Sequence, residues 1–153
     1  MRTIGIDFGK TLTYVPLRMT KRILFPNALE VIIRLLNEKH THVYIISKAN
    51  PEQRKMVETW LQNNDFYNRS GLPEEHVYFC EKRPEKANIC RRLGVTHHID
   101  DRPEVMAHLD KDIKKFMINP VPKDVVKFYN RIHNAKIVTN WLEIEMELFG
   151  NNL

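Results

Sequence analysis

Cysteine is scarce: this 153-residue chain holds two, Cys80 and Cys90. They lack metal-ligand spacing, and Met1-Arg2-Thr3 runs straight into a strand-like segment without a secretion-signal pattern. The expectation is therefore a pair of reduced, buried thiols in a cytoplasmic protein. No apolar run approaches the roughly 18 to 20 residues of a membrane span, which excludes a membrane partner of that kind. There is no internal repeat and no low-complexity tract. Hydrophobic content of 42% and charged content of 28% argue against disorder. One domain over residues 1–153, long enough to bury its own core, is expected.

Charge of one sign is not concentrated either. The net charge is +5, yet no run of five like charges and no nucleic-acid motif occurs, so a nucleic-acid partner has no motif behind it. The basic pairs Lys21-Arg22, Lys82-Arg83, Arg91-Arg92 and Lys114-Lys115 read as solvated helix ends and loops. Their second reading is a field that attracts phosphorylated substrates.

What the chain does have is alternation. Thr3-Ile4-Gly5-Ile6, His42 to Ile46, His76 to Cys80, Thr96 to Ile99 and Lys115 to Ile118 are short, β-branched, nearly continuous apolar runs. Such runs suit strands buried on both faces of a parallel sheet. Helical periodicity lies between them, and Pro26, Pro51, Pro84 and Pro103 stand before its starts. Leu29, Ile32, Ile33 and Leu36 predict one core-facing stripe. Met56, Val57, Trp60 and Leu61 predict another, behind an Asn50 cap with Gln53 three residues on. Val105, Met106 and Leu109 mark a shorter helix, and Val138, Trp141, Leu142 and Leu148 a final one. The expected fold is a doubly wound three-layer α/β sandwich around a central parallel sheet. Ligands of such sheets sit outside the carboxyl ends of the strands.

Reactive residues fall at those ends. Asp7 follows the first strand, Ser47-Lys48 the second and Asp100-Asp101 the fourth, while Lys86 stands in the first turn after the third, with Lys82 just before it. Carboxylates suit Mg²⁺, which takes one or two of them plus phosphate and water. A hydroxyl and an ammonium can orient phosphoryl oxygens, and a carboxylate can act as nucleophile through an acyl phosphate. Singly, each has a plainer reading: Asp7, Ser47 and Asp101 as caps, Lys86 as a solvated side chain. Their joint order is what points to a phosphate site.

These residues resemble the haloacid dehalogenase superfamily. Asp7-Phe8-Gly9-Lys10-Thr11-Leu12 lies over its first motif, Asp-x-Asp-x-Thr, and Val43 to Ser47 over its second. Lys86 is the better match to the third, with Lys82 second, and His98-Ile99-Asp100-Asp101 matches the paired acids of the fourth. The likeness spans residues 3 to 118. It implies a Rossmannoid fold with Asp7 as phosphoryl-accepting nucleophile, and Mg²⁺ held by Asp7, the Gly9 backbone carbonyl and Asp100. Asp101 would bind the metal through water or orient a neighbour, and Ser47 and Lys86 would hold the phosphoryl oxygens. Lys10, Thr11, Lys48 and Lys82 adjoin these positions and are expected to contact substrate.

Two departures matter. Gly9 stands where the family's phosphatases carry the acid that protonates the leaving group and then activates water, a loss of about 10² to 10⁴ in rate. Three outcomes are open: restriction to good leaving groups or a substitute such as Lys10, Lys48 or His97; a slow phosphatase; or a silent domain that binds a phosphorylated ligand or partner. Members without this acid are often not simple phosphomonoesterases. Second, only the segment Thr13 to Asn27 separates the first motif from the first helix, too little for a large cap domain. Capless relatives tend to act on macromolecules or to gain a cap by oligomerising, so a nucleotide, sugar phosphate or macromolecular phosphate is the expected substrate class. The specificity loops would be Thr13 to Leu24 and Asn64 to Pro73. Within the first, Met19 to Arg22 reads as a solvated hairpin sooner than as part of the site entrance. Of His97 and His98, adjacent on a strand, one is expected in the core and the other facing the site.

Gly-Ile-Asp-Phe-Gly also looks like the first phosphate loop of the actin and heat-shock ATPases, but that fold needs a duplicated domain. A kinase Asp-Phe-Gly reading fails because no nucleotide lobe precedes residue 7. A flavodoxin-like receiver shares acidic strand ends but lacks the Ser47 and Asp100-Asp101 order.

Overall fold

The first strand, β1 (Arg2–Ile6), runs through the middle of the molecule, where Ile4 and Ile6 are fully buried. In the computed structural model, which describes residues 1–150, the chain next forms a small antiparallel hairpin, β2 (Thr13–Tyr14) with β3 (Ile23–Leu24). Then come α1 (Ala28–Leu36), β4 (Thr41–Lys48), α2 (Pro51–Asn63), α3 (Phe66–Ser70), β5 (Val77–Cys80), α4 (Glu85–Leu93) and β6 (His97–Asp100). The chain closes with α5 (Pro103–His108), β7 (Lys114–Ile118), α6 (Pro122–Phe128), β8 (Ala135–Val138) and α7 (Trp141–Phe149). Asn151 to Leu153, which the single-domain reading includes, lie outside the described residues.

Six strands pair in the order β5-β4-β1-β6-β7-β8, all parallel. The chain winds from β1 outward to β5, then returns to lay β6 on the other side of β1. That reversal opens a crevice at the carboxyl ends of β1 and β6, the place where doubly wound sheets bind ligands. Helices cover both faces. One core joins Ile4, Ile6, Val43 and Ile45 to Val31, Leu35, Val57, Leu61, Phe66 and Trp141; the other joins Ile46 and Met117 to Ala87, Ile89, Cys90 and Met106. Alternate residues of one strand serve opposite layers, so near-continuous apolar strands follow directly. Between β1 and α1 there is only the hairpin, and between β4 and β5 only α2, α3 and one 3-10 turn, so the described residues include no large cap domain.

Local signals held well at helix starts. Pro51 and Pro103 open α2 and α5, and the Asn50 side chain accepts from the Gln53 amide at 2.8 Å while Gln53 accepts back at 3.0 Å. Several side-chain expectations are corrected. α1 buries Ala28, Val31, Ile32 and Leu35, leaving Leu29, Ile33 and Leu36 half-covered, because a helix apolar nearly all round lets packing choose the stripe. Met56 and Leu142 are exposed. Val138 belongs to no helix: it ends β8, an edge strand not anticipated because Ala135-Lys136-Ile137 is mostly exposed. Lys115 is not solvated either. Its ammonium is buried and donates to the carbonyls of Asp110, Ile113 and His133 at 2.7 to 2.9 Å. Both cysteines are free and buried, and burial pushes the Cys90 thiol up to about 12, which keeps it inert.

A carboxylate–lysine cluster at the carboxyl end of the sheet

The site is built where β1 and β6 end side by side. Ile6 pairs with Ile99, and the Asp7 amide donates to the Ile99 carbonyl at 3.0 Å, so the residues that follow, Asp7 and Asp100, must face each other across the crevice. From the first turn of α4, Lys86 reaches between them: its ammonium lies 2.9 Å from Asp7 Oδ1 and 2.8 Å from Asp100 Oδ2. Asp100 is fully buried and has two further donors, His98 Nε2 at 3.1 Å and the Arg102 amide at 3.1 Å. Burial alone would raise its pKa, but Lys86 and His98 outweigh that and hold it well below the usual carboxylate range. The Lys86 ammonium, though buried, is held charged above its ordinary value by Asp100 and Asp7.

His98 and Asp100 share a face of β6, which places the imidazole in the core beneath the site. Gly5 makes that possible: a Cβ there would stand 2.7 Å from His98 Nδ1. His97 points elsewhere. It stands at the opposite end of β6, stacks on Phe116 and bonds to Thr96, so it offers no replacement acid.

Asp7 and Asp101 are electrostatically crowded. Burial, then the Asp100 charge, raises the Asp7 pKa despite Lys86. Burial, with Asp7 and Asp100 nearby, raises Asp101 to about 8. A carboxylate oxygen from each of Asp7, Asp100 and Asp101 lies within 4.8 Å of the others, a hard-oxygen donor set of the kind a divalent cation takes. The crowding has a measurable consequence. An unfolded Asp ionises near 3.8 but the folded Asp101 keeps its proton to about 8, so in between the folded state binds the extra proton and stability falls as pH rises. His97, lowered by burial to about 4 from 6.5, acts in the opposite sense only below 6.5. The metal-free protein should thus lose thermal stability from pH 6.5 to 8, and Asp101→Asn should flatten that slope; an unchanged slope in the variant would contradict the assignment.

Other expected residues divide. Ser47, Lys48 and Lys10 line the crevice with Asp7, Gly9 and Lys86, a cavity of about 440 Å³. Thr11 does not face it. Fully buried, its hydroxyl lies 3.3 Å from Asp7 Oδ2 and 3.5 Å from Asp101 Oδ1, and its carbonyl accepts from Trp141 Nε1 at 2.9 Å, so it sits beneath the acids and outside the cavity lining. Lys82 is exposed in the loop before α4, where its amide is capped by Glu85 at 2.8 Å, and it stands outside the cavity lining. Three basic residues line the cavity without having been singled out: Arg22, Arg83 and Arg102. Arg22 belongs to the expected specificity loop Thr13 to Leu24, in the stretch read as a solvated hairpin sooner than as part of the site entrance. The β2-β3 pairing turns it back over the crevice, so Arg22 takes the second of those readings.

No protein-family model matches the chain, and no curated protein matches it in sequence. Among solved structures it is similar to a HAD family hydrolase from Deinococcus radiodurans R1, determined with bound phosphate and sodium. The TM-score is 0.57 at 15% identity, covering 83% of this chain and 59% of that one, so the chain spans less than two thirds of that hydrolase's length. No helix among the described residues is long and apolar enough to cross a membrane. At this identity the likeness speaks to architecture, and the conclusion is that the chain has the α/β fold of a HAD family hydrolase.

Proposed function

We propose that this protein is a Mg²⁺-dependent phosphohydrolase or phosphotransferase of the HAD type, acting through an aspartyl phosphate on Asp7. The observation that carries the reading is the Lys86 ammonium held between Asp7 and Asp100, with Asp101 alongside, at the crevice of a sheet whose structural neighbour holds phosphate. Asp7, Asp100, Asp101 and the Gly9 carbonyl would hold the cation, which supplies neutralisation of the phosphoryl oxygens. Asp7 is the nucleophile: its Oδ2 is positioned by Thr11 and its Oδ1 by Lys86. Ser47 at the end of β4 and Lys86 orient the phosphoryl group, and Lys10 and Lys48 add positive charge at the rim. With no side chain at position 9, departure of the leaving group goes unassisted, so turnover of ordinary esters is slow. Without a cap, the site stays open to bulky phosphorylated substrates.

Given p-nitrophenyl phosphate or acetyl phosphate, the protein should release phosphate with Mg²⁺ and stop when the metal is chelated; release that continues at the same rate in chelator defeats the proposal. A second measurement addresses the metal directly. Mg²⁺ should raise the thermal midpoint of the wild type and flatten its fall between pH 6.5 and 8, because bound cation displaces the proton retained by Asp101 to about 8. Asp101→Asn should shrink the Mg²⁺ response. Asp101 is the better choice for this test, because Asp100→Asn would also break a buried ion pair and cost about 3–5 kcal/mol on that account alone.

A further inference from the structure

The cavity holds more positive charge than a phosphate monoester needs. Lys86 is taken up by Asp7 and Asp100, and Arg83 stands 3.8 Å from Glu104, but Arg22, Lys10, Lys48 and Arg102 form no ion pair among the described residues. Arg22 is the most tightly placed of them. Its Nη1 donates to Thr13 Oγ1 at 3.0 Å and its guanidinium lies 5.5 Å over the Phe8 ring. Its backbone carbonyl is pinned by Trp60 Nε1 at 3.1 Å. A half-buried cation in this setting gains most from an anion that water does not screen.

Where it points is the decisive fact. A Cβ placed on Gly9 would meet Arg22 Nη1 at 3.9 Å and, chain neighbours apart, no other described heavy atom within 4 Å. The space beside Asp7 left by the missing side chain is therefore overlooked by a guanidinium. A guanidinium does not give up a proton at neutral pH, but it stabilises an anion. Resting on the proposed activity, we infer that Arg22 is a specificity-determining residue that binds a second phosphoryl group, making the preferred substrate a phosphoanhydride such as pyrophosphate or the terminal phosphate of a nucleoside diphosphate.

The chemistry balances without an acid. An Asp7 carboxylate oxygen bonds to the terminal phosphorus as the bridging P–O bond breaks. The electron pair leaves on the bridging oxygen of a phosphate anion, held by Arg22. A water oxygen then bonds to phosphorus, Asp7 departs as carboxylate, and the water proton passes to the product phosphate. Nothing is oxidised or reduced, and the net change is one anhydride and one water to two phosphates.

The test compares inorganic pyrophosphate with p-nitrophenyl phosphate at fixed free Mg²⁺. Both leaving groups depart without protonation, but only pyrophosphate presents a second phosphoryl group. Wild type should favour pyrophosphate in kcat/KM. Arg22→Met, which keeps a stem over Phe8, should lower the pyrophosphate value about 10- to 100-fold, the range of a lost charge-assisted hydrogen bond, and change the other less than threefold. Arg22→Lys should recover part of the loss. In wild type, pyrophosphate should also compete with p-nitrophenyl phosphate at least ten times better than inorganic phosphate does, a reading that needs no variant. Equal loss on both substrates, no preference in wild type, or a selective loss in Tyr14→Phe, whose side chain also lines the cavity, but not in Arg22→Met overturns the role of Arg22 and leaves the phosphohydrolase standing. Turnover of neither substrate overturns both.

Discussion

Asp7→Asn should abolish turnover and at the same time make the metal-free protein more stable. The rate loss follows from removing a covalent nucleophile, about 10⁴- to 10⁶-fold where such residues have been deleted. The stability gain follows from the surroundings of the carboxylate. Burial first, and Asp100 second, raise the Asp7 pKa, and Lys86 only partly offsets them. Above its unfolded value of 3.8, ionised Asp7 is therefore less at home in the folded state than in the unfolded one. Asn has the same shape, keeps an acceptor for Lys86 Nζ at 2.9 Å, and carries no charge to repel Asp100. A rise in thermal midpoint near pH 7 is expected. It should vanish below pH 4, where both side chains are neutral. Phosphate release in the variant equal to wild type would rule out Asp7 as nucleophile. A midpoint that falls would mean Lys86 stabilises Asp7 more than burial penalises it.

Gly9→Asp should act in the opposite direction on rate. Nothing outside the chain neighbours lies closer than 3.9 Å to the new Cβ, and the backbone there is not in the left-handed region that resists a side chain. The variant should fold with a thermal midpoint close to wild type. A carboxyl group at this position can protonate a departing alkoxide and then activate water, so hydrolysis of alkyl phosphates should rise about 10²- to 10⁴-fold. Nitrophenyl phosphate, which needs no acid, should gain far less. Arg22 Nη1 is near enough to pair with the new carboxylate, so any preference for pyrophosphate should weaken in the same variant. A flat response on alkyl phosphates would show that the rest of the site cannot use an acid there.

How far these positions could be read in advance depends on what holds them. Asp7, Lys86, Asp100 and Asp101 each sit within a residue or two of an element end, and strand ends can be located from apolar runs alone. Their convergence then follows from the rule that a doubly wound sheet gathers its strand ends at one edge. Thr11 fills the last position of the first motif and Lys82 is the second match to the third, but a position in sequence does not say which way a side chain faces. Thr11 turned inward to hold two acids, and Lys82 stayed in solvent. His98 was expected in the core or at the site, and it serves both, buried and bonded to Asp100.

The sequence by itself determined the layer architecture and the acids at the strand ends, because both rest on short-range patterns of apolar and polar residues. Tertiary structure alone decided what faces Gly9. Arg22 is thirteen residues further along on a long, flexible side chain. Its guanidinium reaches the crevice only because β2 pairs with β3, Trp60 from α2 pins its carbonyl, and Phe8 and Thr13 receive its head. Each of those contacts closes a loop between distant parts of the chain, and no local propensity encodes such a closure.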